Sequence, residues 1–144
     1  MSDAPDKAAP PMYFVGHLYS RADIYQILRI PNSKQQGDWL NGYHRHGSDY
    51  YIFCNIGVAG RTGDNYDNRW EGSRLIWFGK HRSNFEQDSI KNLISGHYRV
   101  LIFYRDNDRQ KFTFAGLGNP KPHCSTRDPV RIDWEMKPLK EITP

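Results

Sequence analysis

The segment from Tyr98 to Leu117 leaves the chain few folds to choose from. YRVLIFYR (98–105) and KFTFAGL (111–117) are apolar, aromatic and β-branched runs on either side of Asp106, Asn107 and Asp108. Such runs around a polar turn predict a β-hairpin. DYYIFCNI (49–56) and RLIWFG (74–79) read as further strands. Residues 130–136 alternate Val130, Ile132, Trp134 and Met136 with Arg131, Asp133 and Glu135, the pattern of a half-solvated strand. A short aromatic and β-branched run at 13–17 adds one more. Ser20 stands as an N-cap before Ile24, Ile27 and Leu28, and Pro31 with Asn32 ends that helix. A loop over 83–88 leads to a second short helix over 89–95, and long polar connections fill 32–48 and 57–68. These elements predict an α+β chain, mostly β: a highly curved sheet or open β-barrel with two short helices at its ends. Function in such a barrel belongs to rim loops or to one exposed face.

At 144 residues there is room for one core, placed at 13–137 between a disordered N-terminal arm (1–12) and a tail (138–144). No run approaches the roughly 18 to 20 apolar residues of a membrane span, and the first residues lack a signal-peptide core, so a soluble, cytoplasmic protein is expected. Cys54 and Cys124 form no CxxC pair, which argues against a zinc finger or a disulfide scaffold. A net charge of +4 permits an acidic partner without requiring one, so a polyanion argument depends on where the cations cluster.

They cluster in YDNRWEGSRLIWFGKHRS (66–83), where Tyr66, Trp70 and Trp77 lie among Asn68, Arg69, Arg74, Lys80, His81 and Arg82. Cations neutralise phosphates, Arg and Asn fork onto base edges, and aromatic faces stack on exposed bases, so the mixture suits nucleic acid. The plainer reading puts Trp70 and Trp77 in the core and the cations on a solvated turn, and pattern alone leaves both open. His44, Arg45 and His46 offer metal ligands, general bases or phosphate contacts, but no companion ligand set accompanies them. Asp133, Glu135 and Lys137 carry the acid-x-Lys element of metal-dependent nucleases. That element lies on the polar face of a half-exposed strand, and its nuclease reading is the alternative to a binding module. GxSxG, Walker-type, HExxH and GxGxxG signatures are absent.

Six blocks in order, YSRADIYQIL (19–28), DYYIFCNI (49–56), YDNRWEGSRLIWFGKHRS (66–83), YRVLIFYRD (98–106), KFTFAGLG (111–118) and HCSTRDPVRIDWEM (123–136), carry a family resemblance. The chain resembles the domain of unknown function at the C-terminus of helicase-linked, modification-dependent restriction enzymes. The resemblance implies an SRA/PUA-like or plant-type pseudobarrel module that reads double-stranded DNA for a restriction or defence system. Its target would be a modified base such as 5-methylcytosine, or a short sequence, read by base flipping or in the major groove. No catalytic residue, metal or cofactor is implied, and the companion would be a nuclease or helicase subunit or domain, with no membrane involved. Tyr43, Tyr66, Asp67, Asn68 and Trp77 are then the candidate base-contacting or base-stacking residues. Arg45, Arg69, Lys80, His81, Arg82 and Arg127 are the candidate phosphate or groove contacts.

Overall fold

The computed structural model describes residues 11–57, 68–80, 83–122 and 129–144. Two short pairs open the chain, β1 (Tyr13–Phe14) and β2 (Leu18–Tyr19), followed by α1 (Arg21–Leu28). The expected single strand over 13–17 is broken because Gly16 turns the chain at φ 88°. After two 3₁₀ turns, Asn32–Lys34 and Gly37–Leu40, come β3 (Tyr43–His46), β4 (Asp49–Asn55), β5 (Arg69–Glu71) and β6 (Arg74–Phe78). Helix α2 (Asp88–Ile94) precedes β7 (Arg99–Arg105), β8 (Phe112–Pro122), β9 (Arg131–Met136) and β10 (Glu141–Ile142). The expected hairpin is β7 with β8, paired antiparallel.

The main sheet runs β3-β4-β7-β8-β9-β6-β5, with β2 added to β8. Its centre is the parallel pair β4 and β7, in register from Asp49 opposite Arg99 to Asn55 opposite Arg105. Parallel strands covered on both faces read as unbroken apolar runs, which is why DYYIFC and VLIF lack alternation. Tyr51, Phe53, Leu101 and Phe103 point to one core, shared with Tyr13, Ile24, Trp39, Phe112 and Phe114. Tyr50, Ile52, Val100 and Ile102 point to a second, shared with Leu75, Trp77, Ile90, Leu93, Ile132 and Trp134. A bulge opposite Ile102 and Phe103 bends β8, whose first half pairs with β7 and whose second half pairs with β9. Gly118 sits at the handover: a Cβ there would lie 2.7 Å from Ile102 Cδ1 and 2.8 Å from Trp134 Cε3.

The curl brings β5 back to β4 through one isolated bridge, Ile56 with Asn68, so the barrel stays open. Helix α1 begins with a reciprocal cap: Ser20 Oγ accepts from Asp23 N at 3.0 Å, and Asp23 Oδ2 accepts from Ser20 N at 2.8 Å. Two expectations change. The connection over 32–48 contains β3, an edge strand on β4, and the tail contains β10, whose Ile142 is buried against β1. Among the described residues no helix is long and apolar enough to cross a membrane.

Candidate nucleic-acid interface

The carboxyl end of β4 and the start of β5 meet at one rim of the curled sheet, and Asn68 fastens it. Its Nδ2 donates to Asn55 O at 3.2 Å, its Oδ1 accepts from Phe78 N at 2.9 Å, and its backbone oxygen accepts from Gly57 N at 3.2 Å. One side chain therefore ties β4, β5 and β6 together. Lys80, two residues beyond β6, places Nζ 4.9 Å from the Tyr43 ring centroid. Tyr43 is 8% exposed and its hydroxyl is pushed up by burial. Ser83 is buried and pins the same rim: its Oγ accepts from Val130 N at 3.0 Å, while Gly79 N donates to Val130 O at 3.0 Å. A Cβ at Gly79 would meet Ser83 Oγ at 2.6 Å, so this close approach requires glycine.

Of the candidate contacts, Tyr66, Asp67, His81, Arg82 and Arg127 lie outside the described residues. The described residues that flank them, Asn68, Lys80 and Ser83, belong to the rim just described. Trp77 is 2% exposed, edge-on to Tyr43 at 5.4 Å and to Trp134 at 6.3 Å. It is a core ring with no face open to a base, because alternation along β6 turns it inward with Leu75. Trp70 also packs inward, against Tyr104 at 5.4 Å. Arg69 lies on the outer face, with Nε 2.9 Å from Glu71. Arg45 lies two residues beyond Tyr43 on β3. Its Nε donates to Gly47 O at 3.0 Å and its Cζ stands 5.0 Å over Tyr98.

The other motifs resolve into packing and ion pairs. His44 and His46 flank Arg45 on the opposite face of β3 and pack on Trp39, at 4.4 and 5.8 Å. Asp133 accepts a fork from Arg131 at 2.8 and 3.1 Å, which holds the Arg131 guanidinium above its usual value. Glu135 pairs with Arg74 at 3.2 Å. Both carboxylates of the nuclease element are thus engaged by arginines. Among the described residues no three His, Cys, Asp or Glu side chains gather as a metal site. The clip roles of Asn68 and Ser83 carry no sequence signal beyond ordinary polar residues near glycine.

The open, curled sheet with its parallel central pair and a core on each face is a fold shared with solved SRA domains. The chain belongs to the family described as Domain of unknown function (DUF3427), whose pattern matches residues 14–141. No curated protein matches the sequence. Among solved structures the chain is similar to the DNA modification-dependent restriction endonuclease AspBHI, at 12% identity and a TM-score of 0.55 over 90% of this chain and 75% of that one. It is similar to the SUVH5 SRA domain in complex with methylated CHH DNA, at 13% identity and a TM-score of 0.52, covering 89% of this chain and 91% of that one. KRYPTONITE, solved in complex with mCHH DNA, gives 13% identity and a TM-score of 0.56; the match covers 89% of this chain but 32% of KRYPTONITE.

Proposed function

We propose that this chain is a non-catalytic module that binds double-stranded DNA and reads a modified base, supplying specificity to a restriction or defence system. The observation that carries the reading is the fold: about nine-tenths of the chain matches AspBHI and domains solved on methylated DNA. The rim supports it, because Lys80 and the clip at Asn68 stand where the segments bearing Tyr66, Asp67, His81 and Arg82 join the sheet. In this reading Tyr66 and Asp67 hold the ring and edge of the base, while Lys80, His81, Arg82 and Arg127 take phosphates. The module works in the cytoplasm beside a nuclease or helicase partner that makes the cut.

Fluorescence anisotropy with unmodified, 5-methylcytosine and 5-hydroxymethylcytosine duplexes of one sequence, at two salt concentrations, tests this. The expected result is salt-sensitive binding to all three, with one modified duplex bound at least about tenfold more tightly. Equal affinity for all three would overturn base sensing, and a preference among unmodified duplexes of different sequence would then point to direct major-groove readout. Absence of cleavage of any of these substrates with magnesium or manganese is also expected, given the ion pairs on Asp133 and Glu135.

A further inference from the structure

We infer that Arg21 and Arg105, which no sequence motif brings together, form a phosphate-binding site at the carboxyl ends of β4 and β7. Arg21 is the first residue of α1, and its Nε donates to Trp39 O at 3.0 Å. Its Cζ stands 4.8 Å from the Phe53 centroid and 5.0 Å from that of Phe112. Arg105 ends β7 and reaches the same Phe112 ring at 4.2 Å. It donates from Nε to Asn55 Oδ1 at 2.8 Å and from Nη1 to Gln110 O at 3.2 Å. Every one of these partners is a neutral oxygen or a ring.

Among the described residues no carboxylate forms an ion pair with either arginine. The other arginines of the ion-pair network, Arg69, Arg74, Arg99 and Arg131, each have one. Asp23, on the same helix as Arg21, is occupied by the Ser20 backbone and by Lys111 Nζ at 3.4 Å. Asp106 lines an open groove of about 520 Å³ beside Arg105, together with Lys111 and Tyr104. The Arg21 guanidinium is held below its usual value, first by burial and then by the charge of Arg105.

Two like charges over one buried ring, with no carboxylate ion-paired to either among the described residues, are unfavourable as they stand. The arrangement becomes favourable when an anion joins them. Neither Nη of Arg21 and not Nη2 of Arg105 has a protein partner among the described residues. These are the donors with which a guanidinium forks onto phosphate oxygens. Cation–π stacking and the Nε bonds hold both groups in place, so little side-chain freedom remains to be lost on binding. The ligand chemistry is a phosphate oxyanion, carried either by a nucleic-acid backbone or by a free phosphate.

The test follows the arginine Nε–H signals by NMR, since both are hydrogen-bonded, while duplex DNA or inorganic phosphate is titrated into the full chain. Perturbation of both signals by duplex at concentrations where inorganic phosphate has no effect is the expected result and identifies the backbone source. Perturbation by inorganic phosphate alone would support the site and identify a free phosphate. The duplex arm rests on the DNA-binding reading, so duplex binding is followed by anisotropy in the same samples: no binding there overturns that reading, whereas binding with both Nε signals silent overturns the site alone. In a parallel salt titration Arg21→Gln and Arg105→Gln should each weaken duplex binding about tenfold and reduce the salt slope by about one. The preference between modified and unmodified duplex should stay the same. Arg105→Lys keeps the charge without the fork, so it should retain the slope even if Arg105→Gln folds poorly. Silence of both Nε signals to both ligands would overturn the site, as would unchanged salt slopes in folded glutamine variants.

Discussion

Trp77 separates stability from recognition at the level of a single side chain. At 2% exposure, between Tyr43 and Trp134, it contributes through packing. Trp77→Ala should destabilise the fold by about 3–5 kcal/mol in urea denaturation. The remaining folded protein should bind unmodified duplex with wild-type affinity. Loss of DNA binding without loss of stability would return Trp77 to a stacking role. Cys54 gives a simpler case. Its thiol is 5% exposed and burial pushes its pKa up to about 12, so almost no thiolate exists at neutral pH. Iodoacetamide followed by mass mapping should leave Cys54 unmodified in the native protein and modify it fully after unfolding. Fast native labelling would show that the carboxyl end of β4 opens readily.

Helix α1 shows how a short element is held by its cap. Eight residues are too few for a helix to persist in isolation, so the Ser20 and Asp23 exchange matters. Ser20→Ala should cost about 1 kcal/mol. The Asp23 carboxyl is held below its ordinary 3.8, chiefly by the Ser20 backbone N–H, despite an opposing effect of burial. A carboxyl lowered by folding stabilises the protein above its unfolded-state value, and that contribution is lost as pH falls through the lowered value. The stability gap between wild type and Asp23→Asn should therefore be full near neutral pH and close in acid. A gap that persisted unchanged below pH about 2 would assign the effect to packing instead. The same cap explains why α1 is legible in the sequence, since Ser20, Asp23, Ile24 and Leu28 report it locally. The β7–β8 hairpin is legible for a related reason: its turn lies between two apolar runs. The parallel pairing of β4 with β7 is hidden because β5, β6 and α2 intervene, and nothing local marks a partner across that separation. Strand β3 is hidden because His44 and His46 cover Trp39 while Arg45 faces outward, so the segment reads as polar.

Across the whole molecule, the curl of the sheet and the loop rim depend on one another. Clustered cations and rings in 66–83 are visible in the sequence. That Trp77 turns inward follows only from the alternation set by β6 and β9, and that Lys80 covers Tyr43 only from the turn beyond β6. Asn68 reads as a base-edge contact in sequence, and in the fold its amide is committed to Asn55 and Phe78. The bridge it supports, Ile56 with Asn68, returns the last strand of the sheet to β4. If the amide acts as a clip, Asn68→Ala should loosen the free protein before any DNA is added. Hydrogen exchange at the Phe78 and Gly57 amides should quicken by about tenfold, while β4 and β7 amides at Ile52 and Ile102 keep wild-type protection. Discrimination between modified and unmodified duplex should then fall, because the rim no longer holds its segments in one arrangement. Salt-sensitive binding common to all duplexes should remain, since Lys80, Arg21 and Arg105 are untouched. A direct base contact makes a different pattern: discrimination lost with exchange in the free protein unchanged. Exchange in the absence of DNA therefore decides whether Asn68 contacts the base directly or builds the rim proposed to read it.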